Sequence, residues 1–165
     1  MTRGFTLLET LLFIGASSII VLIIAGLLNL ILVAQTKQTI ISEIEETGTR
    51  ALTIISTTVQ DASSVASPTI GQSSTSLTLI RRAGVDTPTV LEIASSTLQL
   101  REGVQPASAL HSSRIAPSQL AVVNFSPTTS TPGIVDIRFT LSSINPSSRP
   151  EYEYSRTFQS SMSLR

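Results

Sequence analysis

The chain has 165 residues, with 11 Lys+Arg against 11 Asp+Glu, so its formal net charge is zero and charged residues make up 13% of it, roughly half the usual share. That balance leaves no electrostatic footprint for nucleic acid, so no nucleic-acid partner is expected. Cysteine and tryptophan are absent and His111 is the single histidine, which excludes a disulfide scaffold, a thiolate metal site, a cysteine nucleophile and a multi-histidine metal centre. No cofactor is expected and no metal ligands are assigned.

The length suits one compact domain with an appendage, and the apolar residues concentrate at one end. Between Thr10 and Thr36 no residue is charged, and the stretch Leu11 to Val33 is almost wholly apolar. A helix needs about 20 such residues to cross a bilayer, so a single transmembrane span is predicted. A secretory signal peptide has a shorter apolar region, roughly 7–15 residues, ending at a small-residue cleavage site; Leu32-Val33-Ala34 matches such a site poorly. Arg3 and the N-terminal amine precede the span and Lys37 follows it. The short basic flank favours an N-terminus inside the cytoplasm, with the rest of the chain outside it.

No proline interrupts the chain before Pro68, so the helix is expected to continue from about Phe5 to Ser64, roughly 90 Å at 1.5 Å per residue. Past Lys37 it becomes amphipathic. Ile41, Ile44, Gly48, Ala51, Ile55, Val59, Ala62 and Ala66 follow the three-and-four spacing of one face, which needs a partner surface. Gly48 leaves open a break into a membrane anchor and a separate juxtamembrane helix.

Beyond Pro68 the period changes to two. Leu77 and Leu79, Val90 to Ile93, Leu98 to Leu100, Leu120 to Phe125, Val135 to Leu141 and Tyr152 to Leu164 read as strands, separated by turns holding Pro88, Gly103, Pro106, Pro117, Pro127, Pro132-Gly133 and Pro146. Five to seven antiparallel strands with one apolar face need a cover, and the helical stripe supplies it. The expected fold class is α+β: one long N-terminal helix, apolar in its transmembrane half and amphipathic in its outer half, packed on a C-terminal antiparallel β-sheet. The expected segments are 1–4, a leader; 5–34, a transmembrane helix; 35–66, an amphipathic helix; and 67–165, an extracytoplasmic sheet domain.

The opening Met1-Thr2-Arg3-Gly4-Phe5-Thr6-Leu7-Leu8-Glu9 places a short basic leader ending in glycine before a phenylalanine, with one glutamate at the head of the uncharged run. This resembles the class III signal of type IV pilins and type II secretion pseudopilins, closely from Gly4 to about Val33 and in architecture over the whole chain. The resemblance implies a pilin-like fold and a structural role. It implies cleavage by prepilin peptidase between Gly4 and Phe5, and N-methylation of Phe5 by the same enzyme. Glu9 would pair with the N-terminal amine of a neighbouring subunit during assembly. The further partners implied are other pilin or pseudopilin subunits, a membrane assembly platform and the lipid bilayer. Physical chemistry agrees with the role of Glu9. A carboxylate inside a membrane costs a few kcal/mol, and an amine about 4 Å away offsets roughly 4 kcal/mol at an effective dielectric near 20.

The chain differs from major pilins in having neither a C-terminal disulfide nor a proline in the membrane half of the helix. Asp86, Glu92, Glu102 and Asp136 are scattered in sequence and do not resemble the calcium site of major pseudopilins. The spread of strands and the ending from Arg156 to Arg165 are most similar to minor subunits of the J type (PulJ-like or PilW-like). The sequence therefore reads as a filament subunit of the cytoplasmic membrane, exported into an extracytoplasmic or extracellular filament, and not as an enzyme. The competing reading is a single-pass membrane protein with an extracytoplasmic binding domain that never polymerises.

Other signals carry less. His111 beside Ser112 and Ser113 lacks the oriented base of a hydrolase and reads as a solvated loop residue. Asn124-Phe125-Ser126 fits a glycosylation pattern but falls in a predicted strand. Ser126 to Thr131 read as soluble turns, with O-linked sugars as the alternative. Arg81-Arg82 read as a solvated pair, with weak DNA contact by a filament as the sharper alternative.

Overall fold

A computed structural model of the chain describes residues 6–81, 87–125 and 133–164. It contains one helix, α1 (Leu7–Gln60), followed by antiparallel strands. The chain divides into two compact units, one ending at Thr39 and the other beginning at Ile40.

In the first unit, α1 exposes its apolar side chains on every side, from Leu7 and Leu8 through Ile23 and Leu27 to Val33. Nothing among the described residues covers them. The helix is long and apolar enough to cross a membrane.

The second unit begins with the outer part of α1, whose Ile44, Gly48, Ala51, Ile55, Thr58 and Val59 are buried. They pack on two antiparallel sheets where one was expected. The first sheet has the order β1-β3-β4-β5-β6, from β1 (Ala62–Ser67), β3 (Ser76–Arg81), β4 (Thr89–Ala94), β5 (Thr97–Glu102) and β6 (Ser108–Ala109). The second has the order β2-β7-β8-β9, from β2 (Ser73–Ser74), β7 (Ile115–Phe125), β8 (Ile134–Ser143) and β9 (Ser155–Ser163). The core joins Leu77, Leu79, Leu91 and Leu98 of the first sheet to Val122, Ile137, Phe139 and Leu141 of the second, beneath the helical stripe. The fold is α+β, with a long apolar helix packed through its outer part on antiparallel sheets.

The strictest alternation in the sequence gives the strand with the driest face. On β8, Val135, Ile137, Phe139 and Leu141 are all fully buried, while of the residues between them Arg138 is exposed and Asp136 and Thr140 are half-buried. β9 answers in register, Phe158 opposite Phe139 and Met162 opposite Val135. The two phenylalanine rings stack at 5.6 Å between centroids.

Helix and sheet meet most closely at Gly48. A Cβ built there would lie 2.0 Å from Cζ of Phe158, so any side chain at this position collides with the ring. Gly48 is thus explained by close approach and sits inside a continuous helix; it marks no break. One turn earlier, Glu45 pairs with Arg156 and accepts a hydrogen bond from the Tyr154 hydroxyl at 3.1 Å. The Arg156 guanidinium lies 5.7 Å from the centre of the Phe158 ring. These contacts put Tyr154, Arg156 and Phe158 on the helix-facing side of β9 and its lead-in, as their spacing predicts. Tyr152 belongs instead to a single 3-10 turn, Pro150–Tyr152.

Two expectations are corrected. The helix ends at Gln60, and residues 62–67 form β1 where a helix through Ser64, within an amphipathic segment through 66, was expected. Residues spaced by four share a face in a helix and in a strand alike, so Ala62 and Ala66 fitted both. The serines of this stretch favour backbone alternatives to the helix: Ser63 Oγ donates to the Ile80 carbonyl at 2.9 Å, across the new strand pair. Register shifts in β1 then turn Ala66 outward. The short edge strands β2 and β6 were not predicted either, because two residues carry no period.

Two predictions follow from this packing. In the fragment from Thr36 to the C-terminus, Ile55→Asp places an unpaired charge in the interface and should cost more than about 3 kcal/mol. Glu46→Ala, on the exposed side, should change stability by less than about 0.5 kcal/mol; urea denaturation of both variants checks this. Gly48→Ala should destabilise by about 1–3 kcal/mol through overpacking, despite a gain in helix propensity of about 1 kcal/mol. Combining it with Phe158→Leu should recover part of that loss, and an unchanged midpoint for Gly48→Ala alone would contradict the contact.

Candidate functional site

Gly4 and Phe5, the expected cleavage junction and methylation site, lie outside the described residues. Glu9 is described. α1 begins at Leu7, so Thr6 is its N-cap and Glu9 the third helical residue. The Thr6 side-chain oxygen accepts the Glu9 backbone N–H at 3.3 Å, the first half of a capping box. The Thr-x-x-Glu spacing at Thr6 and Glu9 is the sequence signal of this cap. In the first turn the carboxylate also faces the positive end of the helix dipole. Glu9 is exposed and has no ion pair among the described residues.

From Glu9 onward α1 offers a continuous apolar surface to whatever surrounds it. Its hydroxyls are folded back onto the helix. Thr10 donates to the Leu7 carbonyl, Ser17 to Phe13 at 2.7 Å, Ser18 to Ile14 and Thr36 to Leu32 at 2.9 Å. Such internal bonds remove the cost of placing a hydroxyl where no water can reach it. The site is therefore one carboxylate held at the head of an uncovered apolar helix. It can take up a cation or amine at one end and hydrocarbon or other helices along its length.

The remaining sequence signals are placed in the second unit. His111 is half-buried and built into the sheet edge, contrary to the solvated loop residue expected. Its Nε2 accepts the Leu98 N–H at 3.0 Å, and its Nδ1 meets the Ser112 carbonyl at 2.7 Å. The Ser112 hydroxyl is directed elsewhere, donating to Glu43 at 2.9 Å. His111 and Ser112 are thus not arranged as base and nucleophile. An open groove of about 360 Å³ passes beside them, lined by Glu46, Thr47, Arg50 and Ile54 of α1 and by residues 108–112.

Arg81 is also corrected. Its guanidinium binds Glu102 at 3.1 Å and lies 3.9 Å from Asp61, so it ties β3 to β5 and to the end of α1 and is not a free surface cation. Arg82 is outside the described residues. Asn124 is buried on β7, and its amide donates to the Pro68 carbonyl at 2.9 Å; a glycan has no access to it in the folded chain. Ser126 to Thr131 lie outside the described residues. Of the scattered carboxylates, Glu92 is held by Gln99, Glu102 by Arg81 and Asp136 by Gln159 and Ser161. Asp86 lies outside the described residues, and the described ones contain no metal-binding group.

Comparisons of the chain with protein-family models, with curated proteins and with solved structures find no match.

Proposed function

We propose that this chain is a subunit, of the minor class, of a type IV pilus or type II secretion pseudopilus. The single observation that carries the reading is the run from Gly4 to Glu9 set directly before an uncovered apolar helix. Support comes from the position of Glu9, capped in the first turn where its carboxylate has no ion pair among the described residues. An ordinary membrane anchor needs neither a glycine–phenylalanine junction nor an acidic residue there.

On this reading prepilin peptidase removes residues 1–4 and methylates Phe5. The mature chain waits in the cytoplasmic membrane, N-terminus inside, with the sheets beyond the outer leaflet. An assembly platform then moves it into the filament, where α1 segments bundle and the sheets face outward. During that transfer Glu9 takes the Phe5 amine of a neighbouring copy or a related subunit, exchanging two desolvated charges for one ion pair.

Intact-mass and N-terminal peptide analysis of the protein from its own host tests the processing. The expected product begins at N-methylated Phe5. A chain that still starts at Met1 and never leaves the membrane fraction would establish the membrane-anchored binding protein instead. Glu9→Ala should leave membrane insertion intact, because one charge is removed from the apolar segment, and should impair filament incorporation. Comparison of membrane-bound with sheared extracellular material measures this; equal incorporation of mutant and wild type would remove Glu9 from the assembly step.

A further inference from the structure

In the apolar part of α1 one polar side chain stands apart. The hydroxyls of Ser17 and Ser18 are satisfied by the helix's own carbonyls. Asn29 is exposed, and its carboxamide has no hydrogen-bond partner among the described residues. The complete apolar turn Leu30-Ile31-Leu32-Val33 follows it before the first polar residue, Gln35. Burying those four large side chains together gains more than desolvating one amide costs. The turn therefore stays in hydrocarbon and draws Asn29 in with it, about 9 Å below Gln35 at 1.5 Å per residue. A side chain as short as asparagine cannot span that depth to reach water, as a lysine would.

We propose that Asn29 is the contact through which the membrane helices of two copies of this chain associate in the bilayer before assembly. This rests on the reading that α1 spans a membrane. A carboxamide carries a donor and an acceptor, so two Asn29 side chains on parallel helices satisfy each other across a two-fold axis, and a second copy is the occupant with matching chemistry at matching depth. Gly26 lies one turn earlier on the same face, with open space where a Cβ would stand, and lets the backbones approach. Leu22 and Gly15 precede Asn29 at seven-residue steps, the repeat that keeps one face against a partner helix.

The full-length chain in phosphatidylcholine vesicles, at graded protein-to-lipid ratios, tests this. The wild type should dimerise. Asn29→Leu should raise the dimer dissociation constant about 3- to 30-fold, Asn29→Gln should restore most of the association, and moving the amide round the helix with Asn29→Leu plus Leu30→Asn should not. Because the chain has no cysteine, Val33→Cys on the Asn29 face should form a disulfide dimer faster than Ile31→Cys on the opposite face. A monomeric wild type, undiminished association of Asn29→Leu, or equal cross-linking at the two positions overturns the proposal and leaves the filament reading untouched. Extraction of the chain from the vesicles by alkaline carbonate overturns both.

Discussion

The outer part of this fold is organised by the contact between the α1 backbone at Gly48 and the ring of Phe158. Removing a side chain from one helical position lets the helix descend until its backbone touches an aromatic face. That ring is fixed from the other side by Phe139, and β8 and β9 are locked in register by the same pair. At that depth the flanking Ile44, Ala51 and Ile55 reach the core. Glu45 meets Arg156 and Tyr154 at the margin of the contact. An alanine at position 48 would lift the helix and loosen all of these together, since close-packed interiors have few small adjustments available.

The single helix is written for two surroundings. Up to Thr39 its hydroxyls are all turned back on the helix, a solution that serves in the absence of water. Past that point the threonines keep the same habit on the solvent side, Thr49, Thr53 and Thr57 each donating one turn back. Between Glu9 and Lys37 the helix carries no charge, and past Lys37 charged residues recur along it. Low overall charge is thus a consequence of architecture: the apolar segment admits none, and the sheets use theirs in pairs such as Arg81 with Glu102.

Much of this fold is legible in the sequence. The three-and-four stripe from Ile44 to Val59 identified the buried helical face because helix period and burial agree over several turns. β8 was legible for the corresponding reason in period two. The signal failed where the two periods coincide, at Ala62 and Ala66, and where an element is too short to have a period, as in β2 and β6. The turn between β4 and β5 uses Ser95 and Ser96, both with positive φ, where Asn-Gly would have announced a hairpin. His111 and Arg81 were misread because their partners, Leu98 N–H and the carboxylates of Glu102 and Asp61, are remote in sequence. Glu9 stands at the head of the uncharged run in sequence and in the first turn of α1 in the structure, and its Thr6 cap follows the Thr-x-x-Glu spacing.

Asp61 alone separates α1 from β1, and that brevity has a mechanical meaning. A pull along the outer part of the helix finds no slack to take up before it reaches the edge strand of the first sheet. The same pull loads the second sheet sideways, through the Gly48–Phe158 contact and the Glu45–Arg156 pair. The helix is therefore fastened at two places to two different sheets, one fastening covalent and one a broad dry contact. Tension is divided between them, and the contact has to shear over several turns before the covalent link carries the load alone. Such a joint suits a domain that is towed by its helix.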